Sequence, residues 1–150
     1  SLGVKLKLSS TRTIVKNKSI ILIDDSLVRG TTCHKIVKML YEAEAKEVHV
    51  RIACPEIKYP DFYGVDMPTK DELLANGKNT QEMCDYLKAS SLKFLSIDGL
   101  YKALIGNSRN SHYPQFSDHY FTGEYPIKPS DSIQGLKIKQ LSLLSGKSTN

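Results

Sequence analysis

Cysteine is scarce in this chain, and its pattern excludes two classes of protein at once. Cys33, Cys54 and Cys84 are odd in number and far apart. They outline neither a disulfide framework nor a C-x-x-C metal site, so buried or idle thiols are expected. No stretch is long and apolar enough to cross a membrane, the first residues lack the apolar core of a signal peptide, and no internal repeat is visible. A cytoplasmic protein is expected, with no membrane partner. Acidic residues are in deficit: 21 basic against 16 acidic side chains give a net charge of +5, with Lys5, Lys7, Arg12, Lys16 and Lys18 crowded near the start. That balance suits a polyanionic ligand. Basic patches interleaved with aromatics are missing, so no nucleic-acid partner is expected. With 150 residues, 40% of them hydrophobic, the chain is long enough for one domain with a core.

The most informative segment is Ile20-Ile21-Leu22-Ile23-Asp24-Asp25-Ser26-Leu27-Val28-Arg29-Gly30-Thr31-Thr32. Four branched apolar residues read as a strand covered on both faces, and ligands of open α/β sheets sit beyond the carboxyl ends of such strands. Gly30 permits a tight backbone path, while Thr31 and Thr32 offer N–H groups and hydroxyls at the positive end of the following helix. A phosphate fits there. Asp24 and Asp25, just before that cradle, suit either the vicinal hydroxyls of a ribose or a magnesium ion held by the ligand.

Periodicity supplies the context. A strand over about Ser19 to Ile23 is followed by a helix from about Thr32 to Ala43, with Ile36, Val37, Leu40 and Met39 on its inner face. A second strand, Val48 to Ala53, completes a βαβ unit whose right-handed crossover makes the strands parallel. Thr69-Lys70-Asp71-Glu72 reads as a capping box opening a short helix that Gly77 ends, and Asn79 with Glu82 opens another. Leu92 to Leu95 reads as a last strand, and Ser96 caps a helix running to about Leu104. Cys54 to Pro68, with three prolines and two tyrosines, reads as a functional loop. From about 128 to 150 the Ser-, Lys- and Gln-rich sequence reads as a weakly ordered tail. His112 and His119, in an Asn/Ser/Tyr-rich loop without a third ligand, read as surface residues.

The string from the apolar run through Asp-Asp to Gly-Thr-Thr resembles the 5-phosphoribosyl-1-pyrophosphate (PRPP) motif of type I phosphoribosyltransferases. Gly3-Val4-Lys5-Leu6-Lys7-Leu8, Lys46 to Ile52, Lys58-Tyr59-Pro60-Asp61-Phe62-Tyr63-Gly64-Val65-Asp66-Met67-Pro68-Thr69, Phe94 to Leu100 and Phe121-Thr122-Gly123-Glu124-Tyr125-Pro126 are similar to amidophosphoribosyltransferases. The resemblance covers about residues 3 to 127. It implies a type I phosphoribosyltransferase-like parallel sheet flanked by helices, incomplete at its N-terminal side. It also implies a part in the first committed step of purine synthesis, in which ammonia from glutamine displaces pyrophosphate from PRPP.

By that resemblance Asp24, Asp25, Ser26, Leu27, Val28, Arg29, Gly30, Thr31 and Thr32 bind PRPP, and Asp24 and Asp25 support magnesium. Arg29 is expected to point away from the ligand. Nucleotide ligands, a glutaminase domain absent from these residues and a homo-oligomer are the implied partners. Tyr59, Phe62, Tyr63 and Asp66 either contact that glutaminase half or cover the sheet edge. Where iron–sulfur-containing members carry cysteines, this chain has Asp61, Ser117 and Tyr120, which supply no thiolates, so no cluster is expected. The family's Glu-Ala-Gly-Ala at the end of the first helix appears here as Glu42-Ala43-Glu44-Ala45, which puts glutamate where a left-handed glycine ends the helix. The alternative to an enzyme fragment is a non-catalytic PRPP- or nucleotide-binding remnant. A salvage phosphoribosyltransferase shares the acid pair but lacks the Tyr59 to Thr69 segment.

Overall fold

The computed structural model describes residues 12–112 and 114–127. The 128–150 segment, the Gly3–Leu8 segment, and Lys5 and Lys7 of the basic cluster lie outside the described residues. Three parallel strands, β1 (Ser19–Asp24), β2 (Glu47–Ile52) and β3 (Ser91–Phe94), lie in the order β1-β2-β3. Ile20 pairs with Val48, Leu22 with Val50, and Val50 in turn with Leu92. Helix α1 (Thr31–Glu42) joins β1 to β2, and α2 (Thr80–Leu87) joins β2 to β3. The helix α3 (Ile97–Ile105) and the short α4 (His119–Thr122) follow.

Both crossovers step across the sheet in the same direction. Right-handed connections then put α1 and α2 on one face. The core forms there: Val48, Val50 and Ile52 of β2 and Leu92 of β3 cluster with Cys33, Val37 and Leu40 of α1 and Met83 and Leu87 of α2. The other face follows from strand alternation. On β2 and β3 it is polar, with the His49 ring 2.9 Å from Ser91 Oγ and Arg51 donating to the same oxygen at 3.0 Å. On β1 it carries Ile21 and Ile23, which are 65% and 72% exposed, so among the described residues β1 is covered on one face and not on both as its apolar run suggests. Among the described residues β1 has a neighbour on one side only.

The helix ends obey local chemistry. Asn79 accepts from Glu82 N–H at 2.9 Å while Glu82 accepts from Asn79 N–H at 2.7 Å, a reciprocal capping box at the start of α2. Ser96 caps α3 through Gly99 N–H at 3.0 Å, and Gly106 ends it at φ +73°. Glu44, replacing the expected glycine, does adopt the left-handed conformation at φ +67°. Its carboxylate is bound by Arg12 and, at 2.7 Å, by Lys16, which hold it down to about pKa 2.

The helix expected to run from Thr69 to Gly77 is shorter than expected. Its capping box is present, but the helix is a single 3-10 turn, Lys70–Glu72, and the chain is extended again at Leu73 (φ −72°, ψ 126°). Burial decides this: Leu73, Leu74 and Ala75 are pulled into the interior one after another, which a continued helix would not permit.

Candidate functional site

Asp24 is the last residue of β1, and its carbonyl accepts Ala53 N–H at 2.9 Å, so the acid is fixed at the carboxyl edge of the sheet. Its Oδ1 accepts the N–H of Asp25 at 3.1 Å, and Asp25 Oδ1 accepts the Ser26 hydroxyl at 3.2 Å. The chain then turns inward at Leu27, whose side chain is buried in the core, so Leu27 offers a ligand its backbone alone.

Gly30 stands at φ +74° as the residue preceding α1, and its carbonyl accepts His34 N–H at 2.9 Å. It has no side chain to cap the helix. The first-turn N–H groups of Thr31 and Thr32 therefore have neither an intrahelical acceptor nor a side-chain cap. Thr31 and Thr32 are exposed. The whole run from Asp24 to Cys33 lines one cleft of about 330 Å³. All nine residues expected to form the site are thus contiguous around one concavity.

Arg29 is exposed and forms an ion pair with the 69–75 turn. Its Nη2 lies 3.0 Å from Glu72 Oε2, on the surface of the 69–75 turn. Cys33 closes the cleft from below. Burial, helped by the negative charge of Asp24, pushes its thiol up to about 11, so it is a packing residue and no nucleophile. Burial likewise raises the thiols of Cys54 and Cys84.

A second constellation brings together residues 58 positions apart. Asp61 Oδ1 lies 2.9 Å from His119 Nε2 and accepts the Tyr120 hydroxyl at 3.0 Å, and its Oδ2 accepts the N–H groups of Tyr63 and Val65, both at 2.8 Å. Ser117 Oγ lies 2.9 Å from His119 Nδ1. Burial pushes the Asp61 carboxyl up, but the two N–H donors, His119 and Tyr120 outweigh it and hold it down to about 2. Asp61, Ser117 and Tyr120, which the resemblance sets where iron–sulfur relatives carry cysteines, offer oxygens that are already engaged: the Ser117 hydroxyl meets His119, and the His119 ring and the Tyr120 hydroxyl both meet Asp61. This donor set does not fit a thiolate-bound cluster.

His119 is not the surface residue that its polar neighbourhood suggests. Its side chain is 2% exposed, because Asp61 supplies a buried partner and three rings pack around it, Tyr63 edge-on at 5.2 Å and Tyr120 and Tyr125 tilted at 4.1 and 5.0 Å. His112 is exposed, as expected. The aromatics of the 54–68 loop cover the 117–127 segment: Phe62 packs on Tyr125 at 5.2 Å, and Tyr63 donates its hydroxyl to the Ile127 carbonyl at 2.7 Å. Beside them Asp118, also buried, accepts Arg109 Nε at 2.5 Å and the Tyr101 hydroxyl at 2.8 Å. No local sequence pattern announces either network, since each pairs residues from separate segments.

A parallel βαβ unit with paired acids at its first strand end and a glycine-initiated helix defines the α/β class of phosphoribosyltransferase type. No family model matches the chain. It is 51% identical over 144 residues to an amidophosphoribosyltransferase of Rhizobium etli, covering 95% of this chain and 29% of that protein. It is 49% identical over 124 residues to the enzyme of the same name from Staphylococcus aureus, covering 83% and 25%. Among solved structures it is similar to the glutamine PRPP amidotransferase of B. subtilis complexed with ADP and GMP, with a TM-score of 0.72 and 41% identity over 80% of this chain and 26% of that one. The chain spans about a quarter of the length of these relatives, and over that span it belongs to the amidophosphoribosyltransferase family.

Proposed function

We propose that these residues are the ribose-phosphate-binding part of an amidophosphoribosyltransferase, which makes 5-phosphoribosylamine from PRPP with ammonia drawn from glutamine. One observation carries the reading: Asp24 and Asp25 share a cleft with the left-handed Gly30 and the uncapped start of α1. The 5-phosphate is held by N–H groups and hydroxyls from Ser26 to Thr32, and the ribose hydroxyls donate to the two carboxylates. Displacement at the anomeric carbon builds positive charge on the sugar, so orientation of the ribose by fixed acids is the contribution this segment makes.

The acid pair also fits magnesium. Carboxylate oxygens are the hard donors the ion takes, and the hydrogen bonds from Asp25 N–H and Ser26 occupy only part of their acceptor capacity. Bound there with the substrate, the ion would neutralise charge on the departing pyrophosphate. The full reaction also needs a glutaminase, which the longer relatives have length to hold, so turnover is expected of a longer polypeptide and ligand binding of these residues. Adenine and guanine nucleotides are further candidate ligands, supported by the ADP and GMP bound to the B. subtilis relative. No helix among the described residues is long and apolar enough to cross a membrane.

Calorimetry with PRPP and magnesium tests the reading. The wild-type chain binds, and Asp24→Asn with Asp25→Asn loses binding by more than about tenfold while melting within a few degrees of wild type, because the acids touch ligand and support little else. Unchanged affinity in the double variant would remove both carboxylates from the site.

A further inference from the structure

The floor of the cleft is held by a segment about forty residues further along the chain. Leu74 N–H donates to the Val28 carbonyl at 2.8 Å, Glu72 Oε2 pairs with Arg29 at 3.0 Å, and a Cβ built on Gly30 would come within 2.6 Å of Leu74 Cδ2. Three successive residues of the loop, Val28, Arg29 and Gly30, thus meet one turn by a backbone hydrogen bond, an ion pair and a van der Waals contact. Leu74 is itself buried in the main core and so is not free to move away. Glu72 is anchored in turn, since its Oε2 also accepts Thr69 N–H at 3.3 Å in the capping box.

Between Asp24 and Gly30 the loop forms no regular element, so contacts from outside it hold its shape. Sites hold their ligands well when the groups behind them are packed. We infer that the 69–75 turn is the brace of the phosphate loop, with Leu74 and Glu72 as positioning residues that set the loop's shape and, through it, affinity for a ribose phosphate. The inference about affinity rests on the ribose-phosphate reading above; the brace itself does not. It also gives Arg29 a role, which is to tie the loop to the brace from outside and not to meet the ligand.

Two measurements on the whole chain separate the brace from the ligand reading. In Leu74→Ala, amide exchange over 26–32 should speed up by about tenfold or more beyond the acceleration that the lost core packing gives the β2 amides. Glu72→Gln, an exposed substitution that leaves the core intact, should speed the same amides by about twofold to threefold, and Leu74→Met should restore wild-type exchange within about twofold. Binding of ribose 5-phosphate by calorimetry should weaken about fivefold or more in Leu74→Ala and recover in Leu74→Met. Wild-type exchange over 26–32 in Glu72→Gln and in a folded Leu74→Ala would overturn the brace, whatever binds. If Leu74→Ala does not fold, Glu72→Gln alone decides. Faster exchange over 26–32 in a chain whose wild type binds no ribose 5-phosphate would uphold the brace and reject the ligand reading.

Discussion

His119 Nε2 and Asp61 Oδ1 meet at 2.9 Å in a place where both side chains are almost wholly buried, 2% and 1% exposed. Because Asp61 stays ionised and accepts from four donors, the pair locks the 54–68 loop to the α4 segment.

The lock makes an acid-stability prediction. A carboxyl whose folded pKa is about 2, against an ordinary value of 3.8, adds stability that is fully present above pH 4 and is lost as the pH falls from about 4 to 2. Thermal melts of wild type and Asp61→Asn should converge over that window and separate above it, with the variant melting roughly 5–10 °C lower at pH 7. A constant difference from pH 7 to pH 2 would show that the carboxylate charge is not what matters.

Gly30→Ala should damage both fold and binding. The new methyl faces Leu74 Cδ2 at 2.6 Å and Tyr86 Cε1 at 3.1 Å, at a φ of +74° that alanine resists. The left-handed penalty and the crowding add to about 1–3 kcal/mol, measurable by urea unfolding, with a matching loss of PRPP affinity. Wild-type stability would mean that the loop yields freely at Gly30.

The exposed face of β1 and its one-sided pairing among the described residues predict self-association of the chain by itself. Ile21 and Ile23 lie exposed on a strand whose outer backbone groups have no neighbour in the described sheet. Size-exclusion chromatography should show species that grow with concentration, and Ile21→Lys with Ile23→Lys should shift the chain toward monomer. A concentration-independent monomer in the wild type would show the edge to be protected.

The thiols should be silent. Cys33 is buried with its thiol pushed up to about 11, and Cys84 is buried with its thiol raised, so neither should react with a disulfide reagent at pH 8 in the folded chain. Both should react at once in denaturant. Rapid native labelling of Cys33, located by peptide mapping, would mean that the cleft opens far more often than its packing implies.

Local chemistry made much of this molecule legible from sequence. The run Ile20 to Thr32 carries its own strand, turn and helix start, so the expected cleft and the observed one coincide. The capping boxes at Thr69 and Asn79 and the Ser96 cap are likewise decided within a few residues, because a cap answers to its immediate neighbours. What lay beyond reach depends on distant partners. His119 looks like a solvated histidine until Asp61, 58 residues earlier, supplies the buried carboxylate that holds it. The helix opened at Thr69 stops after one turn because the core claims Leu73 to Ala75, and Leu74 meets Gly30 only once β1 and α2 are docked on β2. Sequence alone settled the three strands, the helices α1 to α3 and the turn at Gly30, since short-range hydrogen bonding and backbone sterics decide those. Burial and long-range pairing decided which polar residues are locked inside and what holds the cradle in place, and those exist only in the folded chain.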